Sequence, residues 1–194
     1  TDVVIPSRRA GIDVLPSGFD GLQAVQDVLF GKPGAESSLS RALGPVVDKW
    51  DHIFVDTRPA TDLITRNAFM AADELVLILE PEVPAIRGAD QTMRAIAELE
   101  EYLGKYLPVA GWVINRVNNT RKDHEEYVQR IRELAIDDEV AILGDPIPLM
   151  ADLARLTVVG MGLDEHPRPT ARIRNCAANF GHIVDGIDQA RSSA

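Results

Sequence analysis

The 194-residue chain predicts an α/β fold, a mostly parallel sheet with helices on both faces. Three observations carry that prediction. Residues 75–79 (LVLIL) and 109–114 (VAGWVI) are wholly apolar, without the period-two alternation of a half-exposed sheet, as expected of strands covered on both faces. Longer segments between such runs carry apolar residues at helical spacing. Strand and helix then alternate at a spacing that suits right-handed crossovers between parallel neighbours.

The elements follow in order. Residues 12–15 (IDVL) read as a strand that ends at Pro16-Ser17-Gly18, and a helix follows over 20–30. Gly31-Lys32-Pro33-Gly34 is a turn, and a second helix is expected over 37–50. Residues 52–55 (HIFV) form a short buried strand meeting Asp56, and 60–72 suit a helix. After the strand at 75–79 the pattern turns helical from Pro84, which fits a first turn, with Ile86, Ala89, Met93, Ile96 and Leu103 on one side. The strand at 109–114 stops at Asn115. Tyr127, Val128, Ile131, Leu134 and Ala135 then form a helical stripe whose opposite face carries Arg121, Lys122, Asp123, Glu125, Glu126, Arg130 and Arg132. Residues 140–143 are another strand. Helices over 150–156 and 171–190, the second preceded by the loop 164–170 (DEHPRPT), close the chain. Five strands in one sheet and a single domain over 1–194 are expected.

Composition narrows the function. Hydrophobic residues at 45% and charged residues at 26% supply a sizeable core and argue against wholesale disorder. No apolar run approaches the ~20 residues that span a bilayer. The single cysteine, Cys176, excludes an intrachain disulfide and a cysteine-based zinc site, and reads as a small core residue. Thirty acidic against 20 basic residues give a net charge of -10. That excludes a surface coated in basic residues for nucleic acid and leaves room only for a local patch. No secretory or transit segment opens the sequence, so a cytoplasmic location is expected. The first residue is Thr1 and not Met, which suggests further chain upstream.

Ligands of open parallel sheets bind beyond the carboxyl ends of the strands. Asp56, Glu80 and Asn115 each end an expected strand and should gather at one edge. A strand-end Asp suits magnesium, a hard cation that takes oxygen ligands, though it equally suits a cap on the next helix. Asn115, followed by Arg116, carries both a donor and an acceptor for a purine edge, and is also a common turn residue. His52, His124, His166 and His182 are scattered, with no pair at i,i+4. There is no G-x-S-x-G elbow, and Glu98, Glu100 and Glu101 read as a solvated face. Gly31-Lys32 is not a phosphate loop: Gln26 stands where its first glycine belongs and Pro33 follows the lysine.

Taken together and in order, these segments resemble the ParA/MinD family of deviant-Walker P-loop ATPases, closer to ParA of the Soj type. Residues 50–93 are similar to that family's Walker B strand, switch II, following helix and next strand. Asp56 matches the Walker B aspartate. Thr57-Arg58-Pro59 matches a segment that usually reads Thr or Cys and then two prolines, so Arg58 is a departure. Asn67-Ala68 with Ala71-Ala72-Asp73 matches N-A-x-x-A-A-D, Glu80-Pro81-Glu82 the P-E step, and Asn115-Arg116 the adenine-side asparagine turn. Ile147-Pro148, Ala154, Gly160 and Gly162 resemble the motif after the last core strand, whose proline region lines the base; Leu149 and Met150 stand where relatives often carry polar residues. Residues 12–18 (IDVLPSG) match the strand after switch I.

The resemblance implies a P-loop NTPase fold of the SIMIBI type, with ATP and Mg as cofactors. Asp56 would hold Mg through water, and Thr57, Arg58, Pro59 and Asp62 in switch II would sense the γ-phosphate. Asn115, Arg116, Ile147 and Pro148 would face adenine. It further implies an ATP-closed homodimer, non-specific DNA binding, and a ParB-like partner that stimulates hydrolysis in partition or cargo positioning. The ATP-bound form would associate with the nucleoid. The family's first strand and its K-G-G-x-G-K-T loop are expected upstream of residue 1, in roughly 60–80 further residues. Without them, a non-enzymatic interaction domain of the same ancestry is the alternative. A MinD-like membrane cycle would need a basic amphipathic C-terminal helix, and residues 185–194 (DGIDQARSSA) are too acidic and polar for one. For DNA, Arg168, Arg172 and Arg174 are the candidates, the densest basic run without intervening acids, at the start of the last helix.

Overall fold

The computed structural model describes residues 3–193 and divides into two units, Thr1–Ala71 and Ala72–Ala194. In the first unit, β1 (Ile5–Pro6) and β2 (Asp13–Val14) pair antiparallel, Ile5 opposite Val14. Helix α1 (Phe19–Leu29) follows, then a 3₁₀ turn, Ala35–Ser37, leading into α2 (Ser38–Leu43). A second 3₁₀ turn, Val47–Lys49, precedes an irregular stretch, and α3 (Leu63–Ala71) ends the unit.

Three expectations are corrected here. Residues 37–50 do not form one helix: α2 ends at Leu43 with Gly44 as its cap, because Pro45 has no N–H to donate to the carbonyl four residues back. The strand at 12–15 shrinks to two residues and lies in an antiparallel pair outside any parallel sheet. Residues 52–55 are not a strand; Phe54 is 80% exposed, and Ile53 and Val55 beside it are exposed as well. An apolar run acquires strand geometry only when a neighbour satisfies its main chain, and among the described residues of this unit no strand pairs with it.

What orders the first unit is Asn67, buried in α3. Its Oδ1 accepts from the Leu39 N–H at 3.0 Å, and its Nδ2 donates to the Ala35 carbonyl at 3.0 Å and to Leu63 at 2.9 Å. One side chain thus ties the 3₁₀ turn and α2 onto α3, beside buried Ala35, Ala68 and Phe69.

In the second unit, β3 (Leu75–Leu79) and β4 (Val109–Ile114) pair in parallel, with Leu79 opposite Ile114. Their crossover is α4 (Val83–Leu103), which has Pro84 in its first turn and ends at Gly104 in left-handed geometry. Helices α5 (Lys122–Asp137), α6 (Ala151–Val159) and α7 (Ala171–Ser193) complete it. The expected strand at 140–143 is reduced to a parallel bridge: the Trp112 N–H donates to Ala141 and the Leu143 N–H to Trp112, both at 2.8 Å.

Alternation along β4 sorts the core into two layers. Trp112 and Ile114 join Leu79, Ala89, Val128, Ile131 and Ala135, so α4 and α5 cover one face. Val113 joins Leu143, Ile147, Met150, Ile173, Cys176 and Ile183, so α7 covers the other. Gly111 shares Val113's face, where a Cβ would stand 2.4 Å from Leu143 Cγ; only glycine admits that side chain. The α5 stripe falls as expected, and Cys176 is a core residue. On α4 the stripe is corrected: Leu99 is buried and Leu103 is 45% exposed, because the helix ends there.

Candidate functional site

After one register shift between Leu75 and Val76, the parallel pairing makes β3 and β4 end side by side, which sets Glu80 beside Asn115. The ladder runs one step further, the Asn115 N–H donating to the Leu79 carbonyl at 2.8 Å. Arg116 then adopts left-handed geometry at φ 59°, and Asn115 Oδ1 accepts the Arg116 N–H at 2.9 Å. The turn is therefore built by the asparagine's own carbonyl, while its Nδ2 donors find no partner among the described residues. Arg116 Nε lies 3.2 Å from Glu80 Oε1, and Arg121 lies 3.6 Å from Glu82, so two ion pairs join the loops after β3 and β4. Hydrogen bonding to Arg121 holds the Asp123 carboxyl below its ordinary range, against a smaller opposing effect of burial. That pair strengthens folding above the usual carboxylate pKa and loses its contribution as pH falls through the lowered value.

Ile147 and Pro148 come to the same edge. The Ile147 N–H donates to Ile114 at 2.8 Å, the Val117 N–H to Ile147 at 2.9 Å, and the Leu149 N–H to Val117 at 2.9 Å. Ile147 is buried and Pro148 half-buried. Four residues singled out from sequence, Asn115, Arg116, Ile147 and Pro148, thus share one edge with Glu80.

The other candidates lie elsewhere in the chain. Asp56, Thr57, Arg58 and Pro59 belong to the first unit and are exposed. Arg58 pairs with Asp62 one turn on. Asp62 caps α3, its Oδ1 accepting the Thr65 N–H at 3.1 Å. The capping role considered for Asp56 therefore falls to Asp62, which leaves the Asp56 carboxylate exposed, an oxygen donor of the kind a hard cation takes. At the start of α7, Thr170 is the cap, accepting the Ile173 N–H at 3.3 Å. Arg168, Arg172 and Arg174 are exposed around it; Arg174 donates to the Pro169 carbonyl at 2.7 Å and Arg172 to Leu149 at 3.3 Å.

Sequence reasoning missed Asn179, which clasps the turn before Ile147. The legible signal was a polar residue within the apolar register Ile173, Cys176, Ile183 of α7. No helix of the described residues is long and apolar enough to cross a membrane.

Known proteins supply the family. The model of an AAA domain family, AAA_31, matches residues 1–109, more than half of the chain. The uncharacterised protein MT1749 of Mycobacterium tuberculosis is 29% identical over 163 residues, covering 77% of this chain and 51% of that protein. The sporulation initiation inhibitor protein Soj of Bacillus subtilis is 26% identical over 117 residues, 60% of this chain and 46% of Soj. Among solved structures, an ATP complex of Cyanothece McdA superposes with a TM-score of 0.76 at 19% identity, covering 98% of this chain and 69% of that one. The chain spans about half the length of the curated relatives it matches. With the α/β fold, the strand-end site and the N-A-x-x-A-A-D pattern in place, the chain belongs to the ParA/MinD family of P-loop ATPases.

Proposed function

We infer that the chain is part of a ParA-type ATPase that positions DNA or another large cargo through ATP-dependent dimerisation, non-specific DNA binding and a ParB-like stimulating partner. The observation that carries this reading is the strand-end edge, where the Asn115 amide keeps its donors available beside Ile147 and Pro148. An amide donor next to an apolar wall suits a purine, which offers ring-nitrogen acceptors in its plane and an apolar face. Soj, a relative, and McdA, whose solved complex contains ATP, support the same reading. Asp56 offers a carboxylate to hold Mg through water, which would neutralise phosphate charge, and Thr57 stands with Arg58, Pro59 and Asp62 to sense the γ-phosphate. The 194 residues contain no G-x-x-x-x-G-K-[ST] match, so a phosphate loop supplied by further chain is part of the proposal.

The test uses the full gene product. Asp56→Ala should abolish Mg-dependent ATP hydrolysis while circular dichroism and melting stay as in the wild type. Normal turnover in that variant removes Asp56 from the metal site. The 194 residues alone should bind Mg-ATP only weakly, because phosphate affinity rests on the main-chain N–H groups and lysine of the loop; a micromolar dissociation constant by calorimetry would refute that part.

A further inference from the structure

Helix α7 buries Ile173, Cys176 and Ile183, and one polar residue, Asn179, sits among them at 8% exposure. A buried amide is costly unless paired. Asn179 spends both its groups on a single residue of the preceding turn: Oδ1 accepts the Asp145 N–H at 2.6 Å, and Nδ2 donates to the Asp145 carbonyl at 2.7 Å. Gly144 makes room for this. It is left-handed at φ +64°, and a Cβ there would stand 2.6 Å from Asn179 Oδ1.

Only Pro146 separates the clasped Asp145 from Ile147, and its ring fixes φ, so little slack remains between the clasp and the edge. From Ile147 onward the main chain is bonded to Ile114 and Val117. The segment Ile147-Pro148 is thus held from one side by β4 and its following loop, and from the other by Asn179.

We propose that Asn179 is a positioning residue for purine recognition, setting Pro148 against the Asn115 amide. This rests on the reading that Asn115, Ile147 and Pro148 face a base. Asn179 touches neither base nor phosphate; it acts through the turn. Its loss therefore weakens ligands that carry a base and spares those that do not.

The experiment compares Asn179→Ala with wild type in the full gene product, using Mg-ATP and Mg-tripolyphosphate as ligands and amide hydrogen exchange as a second readout. ATP affinity should fall about tenfold with tripolyphosphate affinity unchanged. Exchange should accelerate at the Ile147 and Leu149 amides and not at Leu77 or Ile78 in β3. An unchanged exchange rate at Leu77, with an unchanged melting temperature, guards against a variant that merely unfolds. Equal losses for the two ligands, or no loss, overturn the proposal. If the wild type binds no nucleotide, the purine reading falls on its own, and exchange at Ile147 and Leu149 still decides whether Asn179 positions the segment: unchanged or uniformly faster exchange overturns it.

Discussion

At the scale of single residues, this site departs from ordinary backbone economy at one position. Arg116 is left-handed without being glycine, directly after Asn115. The conformation costs a side-chain-bearing residue about 1 kcal/mol, offset by the bond from its N–H to Asn115 Oδ1 and by the surface pair with Glu80. Comparing Arg116→Ala with Arg116→Gly isolates the backbone term, since both lose the guanidinium. The glycine variant should be the more stable of the two by about 1 kcal/mol in urea unfolding. Equal midpoints would mean the turn is not left-handed in solution, and Asn115 would then lack the self-bond that leaves its Nδ2 donors available.

At the scale of elements, Asn67 decides whether the short helices of the first unit stay together. Six- and nine-residue helices are too short to be stable alone, so packing must hold α2 to α3. Asn67→Ala would strip the partners from the Leu39 N–H and the Ala35 carbonyl, and should destabilise this unit by about 2 kcal/mol. Amide exchange at Leu39 reads it directly; unaltered protection there would show that α2 is held by other contacts. The sequence motif pointed to Asn67 without revealing this task, since a motif match records residue type and not bonding. Periodicity served well for β3, β4, α5 and α7, which lie close to their expected places, although Ile78 leaves one face of β3 open at 61% exposure. It failed at 52–55, where Ile53, Phe54 and Val55 are exposed, because an apolar run does not by itself supply the strand that must pair with it. At the site, the strand-end rule brought Glu80 and Asn115 together, whereas the clasp by Asn179 depended on a turn at Gly144-Asp145 that no periodicity encodes.

At the scale of the whole chain, the net charge of -10 carried by these 194 residues repels a polyanion, so any contact they make with DNA must be local and must draw on concentrated positive charge. Arg168, Arg172 and Arg174 supply it at the start of α7, where the helix end adds a positive partial charge. Arg172 and Arg174 donate to the neutral carbonyls of Leu149 and Pro169, which orients the guanidinium groups without cancelling their charge. Three phosphate contacts per subunit would give a dimer up to about six, and each neutralised phosphate adds about 0.9 to the slope of log affinity against log salt. Binding should therefore be steep in salt and indifferent to sequence, since phosphates carry no base information. In gel shifts with the ATP-loaded full gene product, replacing all three arginines by alanine should weaken binding equally for unrelated DNA sequences and flatten the salt slope by several units. The triple variant should melt as the wild type does, because exposed arginines outside the core contribute little to folding. Unchanged affinity and slope would place the DNA face elsewhere. A loss confined to one DNA sequence would mean that these arginines read bases, which a ParA-type positioning ATPase has no need to do.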